Sequence, residues 1–205
     1  MWSESGARFM TATYHPTIFI ISGPSGVGKS TLAKKLLAKG KNLVFSISVT
    51  TRKPRGGEEN GREYHFVTQK RFEQMVDKKV FAEYATVHGE LYGTRRDYVE
   101  KELSSGVDVL LDIDVQGAAK IKTIFPHGVY IFILPPSLDE LKRRLLKRER
   151  HLDQDIEERL RVAKKEIDHA RNYDYLVVND KIAACVRQLE AIVTAERCRK
   201  ERWRL

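Results

Sequence analysis

Residues 23–30 read GPSGVGKS, which matches the G-x-x-x-x-G-K-[S/T] pattern of a phosphate-binding loop. The preceding stretch, 18–21 (IFII), is a short apolar run typical of a buried parallel strand. The following stretch carries leucines at helical spacing, and Gly40 supplies a stop signal. A chance Lys-Ser pair in a glycine-rich turn is the alternative, and these flanking patterns disfavour it. We therefore expect a strand–loop–helix unit that binds a nucleoside triphosphate.

The residue types of this loop suit phosphate chemistry. Glycines allow backbone N–H groups to turn toward phosphate oxygens, and the helix N-terminus adds partial positive charge. Lys29 is expected to reach the outer phosphates, and the hydroxyl of Ser30 to bind Mg²⁺. The expected triphosphate-binding set is Gly23, Pro24, Ser25, Gly26, Val27, Gly28, Lys29, Ser30 and Thr31.

The composition predicts a protein with anionic small-molecule substrates. The 205 residues suit one domain with subdomains, and the net charge is +9. The basic residues cluster at 142–150 and 197–204 without an aromatic-basic platform, so we expect no nucleic-acid partner. The longest apolar runs, such as 129–134, are too short to cross a bilayer, and we expect no membrane partner.

The N-terminus and the two cysteines predict a cytoplasmic location. No apolar segment of a secretory signal is visible near the N-terminus. Cys185 and Cys198 fall on one expected helix about 20 Å apart, too far to form a disulfide. Free thiols suit a reducing compartment. The sequence leaves the oligomeric state open, a homo-oligomer included.

Strands and helices alternate along the chain. This order, with the phosphate loop after the first strand, predicts an α/β fold with a doubly wound parallel sheet. Helices are expected at 70–79, around Tyr98–Leu103, from Leu138, over 156–170 and over 182–193. The expected strands are 18–21, 44–48, 81–87, 107–112, 129–134 and 175–178.

Further segments carry a resemblance to a known family. They are FSISVTTRKPR (45–55), GREYHF (61–66), YGT (92–94), LDIDVQG (111–117), ILPPS (133–137) and the stretch 173–180. In this order, from about residue 17 to 200, the chain resembles the guanylate kinases. The resemblance implies a P-loop enzyme that transfers a phosphoryl group from ATP to GMP with Mg²⁺, giving ADP and GDP.

The sequence pattern divides the chain into parts, and the resemblance implies what two of them do. Residues 1–15 are expected to form a loose N-terminal extension. The P-loop core is expected to comprise 16–50, 97–141 and 158–205. Residues 51–96 form the expected GMP-binding subdomain, and 142–157 a short lid.

Two arginines are candidates for the acceptor phosphate. Arg52 and Arg55 lie three residues apart, and their guanidinium groups suit forked contacts with a phosphate dianion. Exposed arginines in a turn are the alternative when this pair is considered alone. The resemblance adds the hydroxyls of Tyr64 and Tyr92 to the phosphate cradle and assigns Asp114 to the monophosphate side.

Glu83 is the candidate for guanine recognition. A carboxylate can accept hydrogen bonds from N1–H and the amino group of guanine, an arrangement that adenine cannot match. Taken alone, Glu83 reads as an outward-facing strand residue. The resemblance instead implies that it recognises guanine, with the hydroxyls of Ser48 and Thr94 in support, and unpaired acceptors would reject AMP.

Asp112 and Asp114 alternate with aliphatic residues, which predicts that both carboxylates share one strand face. This strand end is where open α/β sheets bind ligands. By resemblance, Asp112 takes the acidic position that holds Mg²⁺ with Ser30. Two aspartates that cap backbone N–H groups are the alternative.

Phosphoryl transfer requires alignment and positive charge rather than covalent chemistry. The expected catalytic residues are Lys29 and Arg52, joined by resemblance by Arg144 and Arg159. The resemblance assigns Arg148 to adenine stacking and Asn179 to the ATP-binding set. The chain departs from the family pattern at 149–151 (ERH), where the family has a glycine and a small polar residue, so the lid conformation stays open.

Two other functions are compatible with parts of the pattern. Guanylate-kinase-like interaction modules bind proteins but typically lose the functional phosphate loop, whereas Lys29 and Ser30 are present here. A kinase for another monophosphate is disfavoured by Glu83 with Ser48 and Thr94.

Overall fold

The structure is a computed structural model that describes residues 12–87, 89–148 and 154–204. The strands are β1 (Thr13–Tyr14), β2 (Ile18–Ser22), β3 (Leu43–Phe45), β4 (Val49–Thr50), β5 (His65–Phe66), β6 (Phe81–Val87), β7 (Glu90–Arg95), β8 (Asp108–Asp112), β9 (Val129–Leu134), β10 (Tyr175–Val178) and β11 (Trp203–Arg204). The helices are α1 (Lys29–Leu37), α2 (Gln69–Asp77), α3 (Arg96–Ser104), α4 (Val115–Ile124), α5 (Leu138–Arg148), α6 (Gln154–Asp168) and α7 (Ile182–Arg197).

A parallel five-stranded sheet in the order β10-β9-β2-β8-β3 forms the core. Along β2, Phe19 and Ile21 pack into the cluster that contains α1 and α7. Ile18 and Ile20 point the other way, into the cluster that contains α3 and α4. Alternation thus buries both faces of an apolar strand under helices. The doubly wound α/β fold predicted from the sequence is confirmed.

The chain leaves the core sheet earlier than the sequence predicts. The sequence predicts a second strand over 44–48, but β3 ends at Phe45. Ser46 still donates its backbone N–H to the carbonyl of Leu110 at 3.0 Å, and the chain then enters β4 of a second sheet. The apolar pattern is continuous across this crossing, so it does not mark the change of sheet.

The second sheet has four strands in the order β5-β4-β7-β6. Helix α2 packs against it, and the Phe72 ring stacks on Phe81 with centroids 4.5 Å apart. The hydroxyl of Thr68 accepts the Arg71 N–H and caps α2, as expected for a threonine at this position. This sheet runs from 49 to 95 and largely coincides with the inserted segment expected at 51–96.

The two ends of the described chain pair with each other in a separate two-stranded sheet. Strand β1 pairs with β11 in antiparallel register, and the rings of Tyr14 and Trp203 lie 5.4 Å apart. The prediction of a loose extension is therefore wrong for Thr13 and Tyr14, because a partner strand distant in sequence orders them. The remainder of that extension, 1–11, lies outside the described residues.

Both cysteines lie in the described part of the chain. Cys185 is buried, Cys198 is exposed, and both are free thiols. Helix α7 ends at Arg197, so Cys198 follows the helix rather than lying within it. No helix in the described ranges combines the length and apolar character needed to cross a membrane.

Asp108 ties the two chain ends to the sheet. Its fully buried carboxylate accepts the Tyr14 hydroxyl at 2.8 Å and the Thr17 backbone N–H at 2.8 Å. It also accepts the Nε–H of Arg197 at 2.7 Å. Asp108 begins the strand that ends at Asp112, so this network anchors the far end of a strand that reaches the site.

We expect Asp108→Ala to lower the free energy of unfolding by about 3 kcal/mol, because it leaves a buried N–H and a partly buried guanidinium without their acceptor. Asp97→Ala is the control, since Asp97 pairs with Arg95 at the surface and such pairs contribute about 1 kcal/mol or less. Urea unfolding of both variants measures the difference. Equally small decreases in the free energy of unfolding of the two variants would contradict the anchoring role of Asp108.

Candidate active site

One cleft of about 890 Å³ collects most of the predicted site residues. It is bounded by the phosphate loop, the carboxyl end of β8, the four-stranded sheet and helix α6. Its lining includes Gly23, Ser25, Gly26, Gly28, Lys29, Ser30, Ser48, Arg52, Arg55, Tyr64, Glu83, Tyr92, Asp112, Asp114 and Arg159. Among the predicted residues whose side chains the structure describes, those outside this lining are Pro24, Val27, Thr31, Thr94, Arg144 and Asn179.

The phosphate loop connects β2 to α1. Gly28 is the N-cap of α1 and supplies no side-chain cap, so the first N–H groups of the helix keep their capacity to bind an anion. Lys29 folds back over the loop and donates from Nζ to the carbonyl oxygens of Gly23 at 2.7 Å and Pro24 at 3.3 Å. This arrangement presents an ammonium group and uncapped amides to the same end of the cleft.

The loop is packed closely against its neighbours. A Cβ on Gly23, where φ is +144°, would lie 2.4 Å from the carbonyl oxygen of Ile133. A Cβ on Gly28, where φ is +101°, would lie 2.6 Å from Nδ2 of Asn179. Both positions therefore require glycine for conformation and for space.

Asn179 and Arg144 support the loop from outside. Nδ2 of Asn179 donates to the Val27 carbonyl at 2.7 Å. Arg144 donates to the same carbonyl at 3.3 Å and to the carbonyl of Asn179 at 2.9 Å, and it pairs with Glu140 at 2.7 Å. Oδ1 of Asn179 is buried and has no hydrogen-bond partner among the described residues. In this structure the two predicted nucleotide contacts hold the loop in place.

Ser30 and Asp112 meet at the start of α1. The Ser30 hydroxyl donates to Oδ2 of Asp112 at 2.7 Å. A hydroxyl and a carboxylate oxygen are hard donors that suit a divalent cation such as Mg²⁺, which takes its remaining ligands from phosphates and water. No group of three or more His, Cys, Asp and Glu residues within the described ranges forms a metal site.

Asp114 does not share a strand face with Asp112, and that expectation is wrong. Strand β8 ends at Asp112, and Asp114 is the N-cap of α4, where Oδ1 accepts the Gly117 N–H at 2.9 Å. Aspartate favours this position because its short carboxylate satisfies an unpaired helix N–H. Both carboxylates nevertheless line the cleft.

Arginine and tyrosine side chains form the opposite wall. The Arg52 guanidinium lies 5.3 Å from the Tyr64 ring centroid, and the rings of Tyr64 and Tyr92 meet edge-on at 5.8 Å. Burial raises the pKa of Tyr64 to about 12, so its hydroxyl remains a hydrogen-bond donor at neutral pH. This wall can bind a phosphate through charge and neutral donors together.

Glu83 points into the cleft although its strand position alone suggests an exposed residue. An irregularity in the β6–β7 pairing between Phe81 and Glu83 changes the side-chain alternation, and Glu83 is only 5% exposed. The hydroxyl of buried Thr94 donates to Oε1 of Glu83 at 2.6 Å. Ser48, also buried, lines the same cleft as Glu83.

Gly117 provides the space for the second oxygen of Glu83. A Cβ at Gly117 would lie 2.7 Å from Oε2 of Glu83 and 3.1 Å from Oδ1 of Asp114. Burial raises the pKa of Glu83 to about 7, and the charge of Asp114 acts in the same direction. The site therefore contains a buried carboxyl group that titrates near neutral pH.

The structure describes only part of the basic stretch that is expected to form the lid. Arg159 lines the cleft from α6. The side chain of Arg148 and residues 149–151 lie outside the described part of the chain. The contact of Arg148 with adenine therefore stays a prediction, and the lid conformation at 149–151 stays open.

Four glutamates of the cleft lining were missed by sequence reasoning, and one of them, Glu90, accepts the Thr51 hydroxyl at 2.7 Å. Glu58 pairs with Arg52, and Glu63 pairs with Lys34 of α1 at 3.0 Å. Glu166 lies on α6, and burial raises its pKa. The three-residue spacing of Arg55 and Glu58 could have indicated a turn that brings them together. The sequence around Glu166 predicts only that this residue lies on a helix.

The fold and the site together define a P-loop nucleotide kinase. The uncapped loop, Lys29 and the Ser30–Asp112 pair suit a triphosphate, and the opposite wall suits a second phosphate. The chain belongs to the guanylate kinase family, whose sequence profile matches residues 15–196.

Similar proteins agree with this membership. The chain is 50% identical over 182 residues to a guanylate kinase of Syntrophomonas wolfei, covering 89% of this chain and 93% of the relative. It is 45% identical over 185 residues to a guanylate kinase of Caldanaerobacter subterraneus, covering 90% of each. The crystal structure of guanylate kinase from Anaplasma phagocytophilum superposes with a TM-score of 0.81 at 37% identity, covering 94% of this chain and 92% of that one.

Glu83→Gln should change how stability depends on pH. The folded-state pKa of about 7 exceeds the ordinary value of 4.5, so stability from this group is present below about pH 4.5 and is lost as pH rises through 7. Between pH 4.5 and 8, we expect the free energy of unfolding of the wild type to fall by about 3 kcal/mol relative to that of the variant. Urea unfolding across this range measures it, and a difference independent of pH would contradict the raised pKa.

Proposed function

We propose that the protein transfers the γ-phosphoryl group of ATP to GMP, giving ADP and GDP, with Mg²⁺ as its metal ion. The observation that carries this proposal is the pairing of a phosphate loop with a buried carboxylate, Glu83, across one cleft. Membership in the guanylate kinase family supports it. Use of dGMP, a cytoplasmic location and a role in purine nucleotide metabolism are part of the same proposal.

The donor half binds ATP through the loop at 23–31. The backbone N–H groups at the start of α1 bind phosphate oxygens, and Lys29 reaches the outer phosphates from the position where it now contacts Gly23. Ser30 and Asp112 would hold Mg²⁺, which neutralises phosphate charge when it is bound. The oxygen donors of these two residues fit this ion.

The acceptor half binds the phosphate of GMP. Arg52 and Arg55 supply the charge, and the hydroxyls of Tyr64 and Tyr92 supply neutral donors. A phosphate is already ionised at neutral pH, so its oxygen needs no general base to attack. The protein aligns the two nucleotides and stabilises the charge on the transferred group.

Glu83 selects the base. Its ionised carboxylate accepts the N1–H and amino hydrogens of guanine, with Thr94 fixing Oε1 and Ser48 beside it. Adenine offers an acceptor at N1 and would leave the carboxylate unpaired in a buried site. Burial raises the pKa of Glu83 to about 7, and the hydrogen bonds that guanine donates to the carboxylate would favour its ionised form.

Closure of the parts around the cleft excludes water from the reaction. In this proposal 51–96 is the GMP-binding subdomain and 142–157 the lid. Arg144 and Arg159 contact the transferred phosphate in the closed state, and Arg148 stacks on adenine. Asn179 keeps the loop in its binding conformation and completes the ATP site.

A parallel assay with several acceptors tests the function. With ATP and Mg²⁺, we expect kcat/KM for GMP to exceed that for AMP, CMP and UMP by about 1,000-fold or more. Lys29→Met should abolish turnover with every acceptor. Fastest turnover with AMP, or no turnover with any monophosphate, would refute the proposal.

Glu83→Gln tests the assignment of base recognition. Its amide group places a donor against the donors of guanine, so kcat/KM for GMP should fall about 100-fold while KM for ATP changes less than about twofold. Glu73→Gln, on the exposed side of α2, is the matched control and should behave as wild type. If Glu83→Gln weakened the use of ATP as much as the use of GMP, the assignment of Glu83 to base recognition would be contradicted.

A further inference from the structure

Glu58 joins the two arginines proposed to bind the acceptor phosphate. Nη2 of Arg52 donates to Oε1 and Oε2 of Glu58 at 3.0 and 2.9 Å. The backbone N–H of Arg55 donates to Oε2 at 2.8 Å, and the Glu58 N–H returns a hydrogen bond to the Arg55 carbonyl at 3.0 Å. Gly57, with φ of +82°, allows the chain to turn between them.

Arg52 is held in one orientation by this and other contacts. Its Nη1 donates to the Lys53 carbonyl at 2.7 Å, and its guanidinium lies over the rings of Tyr64 and Phe66. The side chains of Arg52 and Glu58 are 13% and 19% exposed, so the ion pair is well shielded. An arginine without these partners would have to lose considerable rotamer freedom when it bound a phosphate.

The carboxylate of Glu58 is charged at neutral pH. Partial burial acts to raise its pKa, but hydrogen bonds from the Arg55 N–H and the Arg52 guanidinium outweigh this effect and lower it. Glu58 lines the same cleft as both arginines. A permanent negative charge therefore lies beside the proposed phosphate site.

The contacts of Glu58 indicate that it supports the two arginines and does not compete with the phosphate for them. Glu58 reaches Arg55 through its backbone N–H, and the guanidinium of Arg55 has no hydrogen-bond partner among the described residues. On Arg52, Glu58 engages Nη2 and the Lys53 carbonyl accepts from Nη1, so neither of them engages Nε. A phosphate and Glu58 can thus share the arginine pair.

We propose that Glu58 is a positioning residue for the acceptor phosphate. It holds the Arg52 guanidinium and the Arg55 turn in the conformation that receives the phosphate of GMP, and it keeps these contacts when GMP binds. This inference rests on the proposed function, since it assigns the phosphate to these arginines.

Glu59 provides a matched control on the same loop. Its side chain is 71% exposed and pairs with Arg62 at 2.6 Å, and it is absent from the cleft lining. Glu59→Gln therefore removes a neighbouring carboxylate of the same type without touching Arg52 or Arg55.

The experiment compares Glu58→Gln and Glu58→Ala with Glu59→Gln and wild type. We expect both Glu58 variants to raise KM for GMP about 10-fold or more, with kcat and KM for ATP within about threefold of wild type. The inhibition constant of guanosine, which lacks the phosphate, should stay within about twofold. If Glu58→Ala fails to fold, the isosteric Glu58→Gln retains the test.

Different results would overturn the proposal in distinguishable ways. Equal weakening of GMP and guanosine would show that Glu58 only maintains loop structure. A lower KM for GMP would show that the carboxylate competes with the phosphate. Failure of the wild type to phosphorylate GMP would refute the proposed function itself. The wild-type assay shows this result before any variant is compared.

Discussion

The phosphate loop can bind an anion because its neighbours fix its backbone before any ligand arrives. Gly23 lies against the Ile133 carbonyl of β9 so closely that a Cβ would be 2.4 Å away. On the other side, Asn179 and Arg144 both donate to the Val27 carbonyl. These contacts come from β9, from the end of β10 and from α5, so the loop conformation depends on the order of strands in the core sheet. Such preorganised amides need no rearrangement when phosphate charge develops.

The acceptor half depends on contacts between the inserted sheet and the core. Oε2 of Glu83, on β6, lies against Gly117 of α4, and Lys34 of α1 pairs with Glu63 of the insert. Asp114 caps α4 next to the same carboxylate. The position of the carboxylate that we propose to bind guanine is therefore set by a core helix as well as by its own strand.

Much of the fold could be predicted because it follows from local patterns. The apolar run at 129–134 becomes β9 with the same bounds, and the phosphate loop lies between a strand and a helix as expected. The failures have non-local or competing causes. Thr13 and Tyr14 are ordered by a strand about 190 residues later, and the capping preference of Asp114 overrides strand alternation. Glu58 was missed because only the folded turn brings its carboxylate to Arg52.

The central claim is that one cleft holds a triphosphate and a guanine monophosphate end to end. Binding of a bisubstrate ligand, adenosine and guanosine joined 5′ to 5′ through five phosphates, tests it most directly. We predict a single site per chain by calorimetry and inhibition that is competitive against both ATP and GMP, whereas the adenosine–adenosine analogue should bind at least about 100-fold more weakly. Inhibition competitive with only one of the two nucleotides, or equal affinity for both ligands, would contradict the account.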